Sequence, residues 1–293
     1  MRLSVTAPAT TANLGAGFDV FGAALALDNR FTVETGRGGF SLSGGGDISG
    51  LGQNLFLAGL EAAAARLGHR APSVAVMAEA AVPLRSGLGS SASAICAGIL
   101  AAQALIGRDL PDDEVLRIAS VLDGHPDNVA ACLHGGVTIA TEDGLVRRMP
   151  APDLQAIIFY PGTEQGTEAA RRNLAPQIDR KDAVFNIGRA SLLVYALTTG
   201  EYSLLSSSCE DRLHEPLRLA ALPFAKEARE AALSAGALAM PISGSGPSLI
   251  ALARPEDEPA VSAALEGVAR RYPPARVLSL SFAERGARVE PLD

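Results

Sequence analysis

Eleven residues, Pro83-Leu-Arg-Ser-Gly-Leu-Gly-Ser-Ser-Ala-Ser93, join an alternating, strand-like stretch at 73–78 to an uncharged apolar run from Ala92 to Ile106. Strand, small-residue loop and helix, in that order, make a phosphate site. The first N–H groups of the helix lack intrahelical acceptors and carry the positive end of its dipole. Glycine and serine let an anion approach them. A Walker A loop would need a lysine after its last glycine, and the chain's two lysines, Lys181 and Lys226, are remote in sequence. Gly87-x-Gly89-x-x-Ala92 fits a dinucleotide fingerprint loosely, with Asp109 spaced as a ribose-binding acid would be. That acid should close a further strand, whereas Gly107-Arg-Asp-Leu-Pro111 only leads out of the helix. Standing alone, the loop also reads as a Gly/Ser turn without a ligand.

Other polar residues stand in apolar surroundings and ask for a reason. Asn13 and Asp19 lie in Ala7-Pro-Ala-Thr-Thr-Ala-Asn-Leu-Gly-Ala-Gly-Phe-Asp-Val-Phe-Gly22. A buried carboxylate there needs a cationic partner, although both residues also suit plain turns. Leu122-Asp-Gly-His-Pro-Asp-Asn-Val-Ala130 concentrates polar side chains that are equally good helix-to-helix turn chemistry. His125, Cys132 and His134 lack the fourth ligand that a tetrahedral zinc site requires. Arg171 and Arg218 have the planar fork that grips a carboxylate, or are solvated surface residues. Ser243-Gly-Ser-Gly-Pro247 sits between two strand-like runs, as a hairpin would.

Taken together, these segments carry a resemblance. Pro-x-x-x-Gly-Leu-Gly-Ser-Ser-Ala resembles the nucleotide-binding motif of the GHMP small-molecule kinases, with Ser93 standing where alanine is common. The resemblance implies that Pro83, Leu84, Arg85, Ser86, Gly87, Leu88, Gly89, Ser90, Ser91, Ala92 and Ser93 bind the nucleotide. The segment at 7–22 is similar to the first motif of the homoserine kinases in that superfamily, and the run at 122–128 to their E-G-H-P-D-N stretch. By that match Asn13, Asp19 and His125 hold an amino-acid substrate, and Asn128 sits beside the reacting hydroxyl and the γ-phosphate. The acid before the glycine holds Mg²⁺ together with Ser91. Here it is Asp123, one methylene shorter than the usual glutamate. Thr167–Arg171 and Asp211–Arg218 resemble two later segments that each place an arginine on the substrate carboxylate, Arg172 replacing Arg171 if Ala175 shifts the register. The stretch at 239–250 resembles the third motif, a glycine loop facing the nucleotide loop, with Ser243 at the substrate.

The implied activity is ATP-dependent phosphorylation of L-homoserine on the route to threonine, with Mg²⁺, in the cytoplasm and in a homodimer. Another kinase of the superfamily, or a non-catalytic metabolite-binding member, are the alternatives. No general base is evident, because Asn128 stands where mevalonate-type kinases carry aspartate; Asp127 is the rival base.

Elements must bring these residues together, and the chain can supply them. At 293 residues, 48% hydrophobic and 19% charged, it can bury a sizeable core. A net charge of −7 without basic clusters argues against nucleic acid. Three scattered cysteines suggest buried thiols in a reducing compartment. The uncharged run from Ser86 to Gly107 invites a membrane reading, but its first third is Gly and Ser, so a buried core helix is expected. Strands are expected at 2–7, 31–35, 73–78 and 135–140, a turn at 44–46, and helices from Asn54 to Leu67 and after Pro111. Past a boundary at Met149–Pro152, strands at 154–160, 238–243, 248–253 and 276–282 combine with helices at 167–173, 183–197, 224–235 and 256–271. That order is a ferredoxin-like β-α-β-β-α-β plan with insertions. The resemblance implies an α+β, two-domain GHMP kinase fold: a ribosomal S5-like N-terminal domain over 1–150, which binds the nucleotide, and a ferredoxin-like C-terminal domain over 151–293.

Overall fold

The structure, a computed structural model, describes residues 1–36, 39–43, 54–163, 171–172 and 174–292. The expected turn at 44–46 and most of the expected helix at 167–173 lie outside the described residues. Two sheets organise the chain. The first has a path β10(Arg288–Leu292)-β1(Arg2–Ala12)-β2(Phe21–Thr35)-β4(Val74–Glu79)-β3(Gly39–Ser43), and β2 also pairs β5(Val137–Ala140), which pairs β6(Val146–Met149). The second runs β8(Leu249–Ala253)-β7(Gln155–Tyr160)-β9(Arg276–Ser281), all antiparallel. Residues 238–243 reach β8 through isolated bridges at Ala239–Leu252 and Ile242–Leu249. They stand where the fourth strand of a ferredoxin-like sheet belongs, although too irregular to form a continuous ladder.

β1 runs past its expected end at residue 7 and includes Pro8, a residue that a strand paired on both sides excludes. It is tolerated by topology. The partner β10 stops at the Thr6–Arg288 pair, so the missing proline N–H costs no bond on that side, and the register against β2 shifts between Pro8 and Ala9. The strand therefore continues to Ala12 and delivers the first polar motif to the end of the sheet.

Four helices cover the first sheet: α1(Leu55–Arg66), α2(Ser90–Ile106), α3(Asp112–Asp123) and α4(Pro126–His134). Asn54 caps α1 by accepting from the Leu57 N–H at 3.3 Å. α2 is the core helix, with Ile95, Cys96 and Ile99 fully buried under the sheet. Among the described residues no helix is long and apolar enough to cross a membrane. α5(Arg180–Thr199), α6(Glu215–Ala220), α7(Ala225–Ser234) and α8(Glu258–Ala269) accompany the second sheet. All three cysteines are free and buried, Cys132 in the core under α2 rather than at a surface site.

One apolar cluster spans both halves, packing Ala9, Leu14, Leu25 and Leu88 against Leu154, Ile158, Leu193 and Ile250. The last strand, β10, has no counterpart in the sequence reading. It follows the second sheet in the chain yet returns to the first, so the C-terminus ties the two halves together.

Candidate active site

The end of β1 is the hub of the site. Thr10 donates its hydroxyl to Asn128 Oδ1 at 2.7 Å, and its N–H bonds the Leu88 carbonyl at 3.1 Å. The Thr11 and Ser243 hydroxyls bond each other at 2.9 Å, Ala12 accepts from the Gly244 N–H at 2.8 Å, and Asn13 Nδ2 donates to the Gly244 carbonyl at 2.9 Å. Four consecutive residues thus hold the 83–93 loop, the 123–128 segment and the 243–247 loop in register. The chain order of these segments says nothing of this.

The 83–93 loop is built to expose backbone. Gly89 caps α2 in the left-handed region (φ 67°), and no side chain caps the first N–H groups of α2. A Cβ at Gly89 would lie 1.8 Å from Thr10 Oγ1, and one at Gly87 would lie 2.3 Å from the Ser243 carbonyl. Both positions require glycine for space as well as conformation. Ser243, with no exposed surface, donates its one hydroxyl proton to the Gly87 carbonyl at 2.7 Å, which leaves its oxygen to accept from Thr11. In this structure its hydroxyl fastens loop to loop instead of facing a cleft. Ser86, Leu88, Ala92 and Ser93 are likewise buried, Ser93 accepting from Asn29 Nδ2 at 2.8 Å. What the loop offers a ligand is backbone, with Ser90 and Ser91 half-buried at the helix start.

Asp123 ends α3 beside this loop. Burial pushes its carboxyl up to about 6, and the Ser91 hydroxyl facing it pulls the other way. A carboxylate held against its burial beside a hydroxyl fits a hard cation, and a magnesium ion carried by phosphates needs only one or two protein ligands. Among the described residues no group of three or more His, Cys, Asp or Glu could hold a metal without such help.

The 125–128 segment is not a turn but the start of α4, with His125 at its N-cap and Pro126 in its first turn. Asp127 is 2% exposed, and burial pushes it up to about 7 although the Asn128 N–H bonds its Oδ1 at 2.7 Å. Burial also lowers His125.

A charged cage stands opposite. Asp19, held in the left-handed region (φ 57°), gives its N–H to Asn13 Oδ1 at 2.8 Å and pairs its carboxylate with Arg171 at 2.7 Å. The same Arg171 nitrogen lies 3.4 Å from His125 Nδ1. Arg218 reaches His214 Nδ1 at 3.1 Å and the Gly244 carbonyl at 3.2 Å. Both guanidiniums stand 5.4 Å from the centroid of one ring, Phe18, which also stacks on His214. The Nε atoms of Arg171 and Arg218 are buried without a hydrogen-bond partner. Two orphaned guanidinium donors beside a single aromatic ring make an anion site.

The structure therefore brings Asn13, Asp19, His125, Arg171 and Arg218 into one cage, while Arg172 is exposed. Sequence reasoning missed Thr10, Phe18, Asp211 and His214. Asp211 accepts the N–H groups of Leu213, His214 and Glu215, the last two at 2.8 Å, and so fixes the turn that aims Arg218. The signal was available for this one, an aspartate just before a helix start. Nothing in the sequence singles out Thr10 or Phe18.

Comparisons with known proteins give the chain its relatives. The family model described as GHMP kinases N terminal domain matches residues 54–136, and that of GHMP kinases C terminal matches 196–273. A homoserine kinase of Synechococcus sp. (strain CC9605) is 38% identical over 290 residues, 93% of this chain and 92% of that protein. One from Caldanaerobacter subterraneus is 38% identical over 263 residues, 87% of this chain and 84% of that protein. The crystal structure of homoserine kinase from Cytophaga hutchinsonii superposes with a TM-score of 0.87 at 31% identity, covering 99% of this chain and 97% of that one. Mevalonate kinase of L. major in complex with R-mevalonate shares the fold, with a TM-score of 0.74 at 16% identity and 96% coverage of both chains.

Proposed function

This chain belongs to the homoserine kinase family of the GHMP kinases, and on that premise we propose that it transfers the γ-phosphoryl group of ATP to the hydroxyl of L-homoserine, making O-phospho-L-homoserine for threonine synthesis in the cytoplasm. The observation that carries the substrate is the cage. One carboxylate, Asp19, and two arginines with orphaned buried donors match the ammonium and carboxylate of a zwitterion. A mevalonate or sugar substrate brings no ammonium for Asp19.

In this reading the open N-terminus of α2 and the backbone of 87–91 take the phosphates. Mg²⁺ would be held by Ser91 and Asp123, where it neutralises charge on the phosphates. Asn13, Asp19, His125, Arg171 and Arg218 orient the amino acid, and Asn128, fixed by Thr10, stands between cage and loop. The substrate hydroxyl oxygen bonds the γ-phosphorus as the bond to the β-bridging oxygen breaks, and ADP leaves. Positioning and charge stabilisation supply the rate, and the hydroxyl proton leaves late, to the transferred phosphoryl group.

A second reading has one observation in its favour: Asp127, pushed up to about 7 next to Asn128, has the affinity a general base would need. Asp127→Asn separates the two. A fall of several orders of magnitude in kcat with KM unchanged makes Asp127 the base; retention of most of kcat sustains the baseless mechanism.

The primary test is ADP release with Mg-ATP and L-homoserine, L-serine, mevalonate or galactose. Turnover with homoserine alone is expected. Turnover with another alcohol and silence on homoserine would keep the kinase and discard this substrate.

A further inference from the structure

The cage charges are already in contact with each other. Arg171 holds Asp19 at 2.7 Å, and both side chains are only about one-third exposed or less, at 37% and 27%. The carboxylate read as the ammonium site is thus occupied by one of the two arginines read as the carboxylate site. Among the described residues no carboxylate forms an ion pair with Arg218: it contacts the His214 ring, whose pKa burial and Arg218 itself lower, and the Gly244 carbonyl, and it feels Asp19 only as a nearby charge.

Resting on the substrate reading above, we propose that the Asp19–Arg171 ion pair is the specificity device of the site: an internal plug that a zwitterion displaces without stranding a charge and a singly charged alcohol displaces only at a cost. A zwitterion entering between the two side chains gives its ammonium to Asp19 and its carboxylate to Arg171 and Arg218. One ion pair is exchanged for three, and no charge is stranded. A hydroxy acid that takes Arg171 leaves the Asp19 carboxylate partly buried without a cation, and an amino alcohol that takes Asp19 leaves Arg171 without an anion. Stranding one partner of a partly buried pair costs more than the pair itself contributes. Selectivity then comes from what the wrong ligand breaks, in addition to what the right ligand makes.

A simple contact role for Asp19 forecasts no change for a ligand that never touches Asp19, whereas the exchange forecasts tighter binding once Asp19 is neutralised. The probe is 4-hydroxybutyrate, homoserine without its ammonium group, titrated by calorimetry into wild-type protein and Asp19→Asn. Asparagine is the replacement best suited to the left-handed backbone at this position. The exchange expects the variant to bind 4-hydroxybutyrate about fivefold more tightly than wild type, the scale of a released part-exposed pair. Equal or weaker binding by a folded variant overturns it, as does absence of binding to both proteins.

A second measurement needs no variant. Methylammonium added to the wild type supplies Asp19 with a cation and frees Arg171, so it should tighten 4-hydroxybutyrate binding, with potassium at equal ionic strength as the control. No difference between the two cations overturns the exchange. Homoserine turnover by the wild type, measured in parallel, keeps the two claims apart. Turnover without methylammonium synergy leaves the kinase standing and removes the plug. Synergy without turnover keeps the plug and replaces the substrate.

Discussion

The two halves of the site solve the problem of holding an anion in opposite ways. The 83–93 loop uses almost no charge. Its Gly87, Gly89, Ser86 and Ser93 shape backbone around the N-terminus of α2, and the buried Ser243 hydroxyl and the Thr10 backbone N–H lock that shape. The cage at Asp19, His125, Arg171 and Arg218 uses charge throughout and little backbone. A loop of that kind fails by steric change, whereas a cage fails by change of charge. It also follows that the loop is preformed, its donors fixed by packing, while the cage must first release an internal ion pair.

Substitution at Gly89 should break this contrast most severely. Gly89→Ala puts a Cβ into Thr10 Oγ1 at a left-handed residue. We expect at least a hundredfold loss of kcat/KM for ATP and a fall in Tm. The double variant Thr10→Ala/Gly89→Ala should recover part of the Tm, because the obstructing hydroxyl is gone. A fully active Gly89→Ala enzyme would show that the loop is not held as described.

In the cage, Arg218→Ala should lower kcat/KM for L-homoserine about a hundredfold, the scale of a lost desolvated charge pair. The KM for ATP should stay within about twofold. Steady-state kinetics with each substrate varied in turn checks this, and equal damage to both constants would mean that cage and loop are not independent.

Asp127 lies between the two regions, and its effect is on stability. Its folded value, about 7, is above the ordinary carboxylate value of 3.8. Its contribution is therefore intact below about pH 4 and is lost as pH rises through 7, where the buried carboxyl must ionise. Asp127→Asn should match wild type in Tm at pH 4 and exceed it by a few degrees at pH 8. Thermal unfolding across that range tests the sign, and a difference that shrinks with rising pH would contradict it.

The smallest effect separates neighbours. Arg171→Ala should raise the KM for homoserine at least tenfold, whereas Arg172→Ala, exposed and outside the cage, should change it less than about twofold.

Much of this was legible in the residues, because local rules govern the segments concerned. The helix after the loop, its start at the serines, its stop at Gly107 and the cap at Asn54 follow from composition and capping alone. The strands at 74–79, 155–160 and 249–253 follow from alternation or short apolar runs. The readings that missed were those in which a distant partner overrides a local signal. Pro8 sits within a strand because β10 ends before it, and β10 itself looks like a polar tail until β1 supplies its ladder. The irregular 238–243 segment forms bridges in place of a full strand because it must turn into the 243–247 loop. His125–Asn128 begin a helix where turn residues alone suggested a loop.

For the site the division is sharper. The sequence by itself determined which chemical groups the protein possesses: a glycine loop before a helix, an aspartate among apolar residues, two arginines and a histidine–asparagine segment. Side-chain chemistry and backbone permissiveness are local properties, so they can be read from residue types and order. Only the tertiary structure decided which of those groups meet. Thr10 becomes the strut of Asn128, Phe18 the common floor of two arginines, Ser243 a fastener, and Arg171 the partner of Asp19, in every case across a separation of more than a hundred residues. Those meetings depend on the closing of β1 against loops from both halves of the chain, and no local pattern encodes the partner of a contact made that far away.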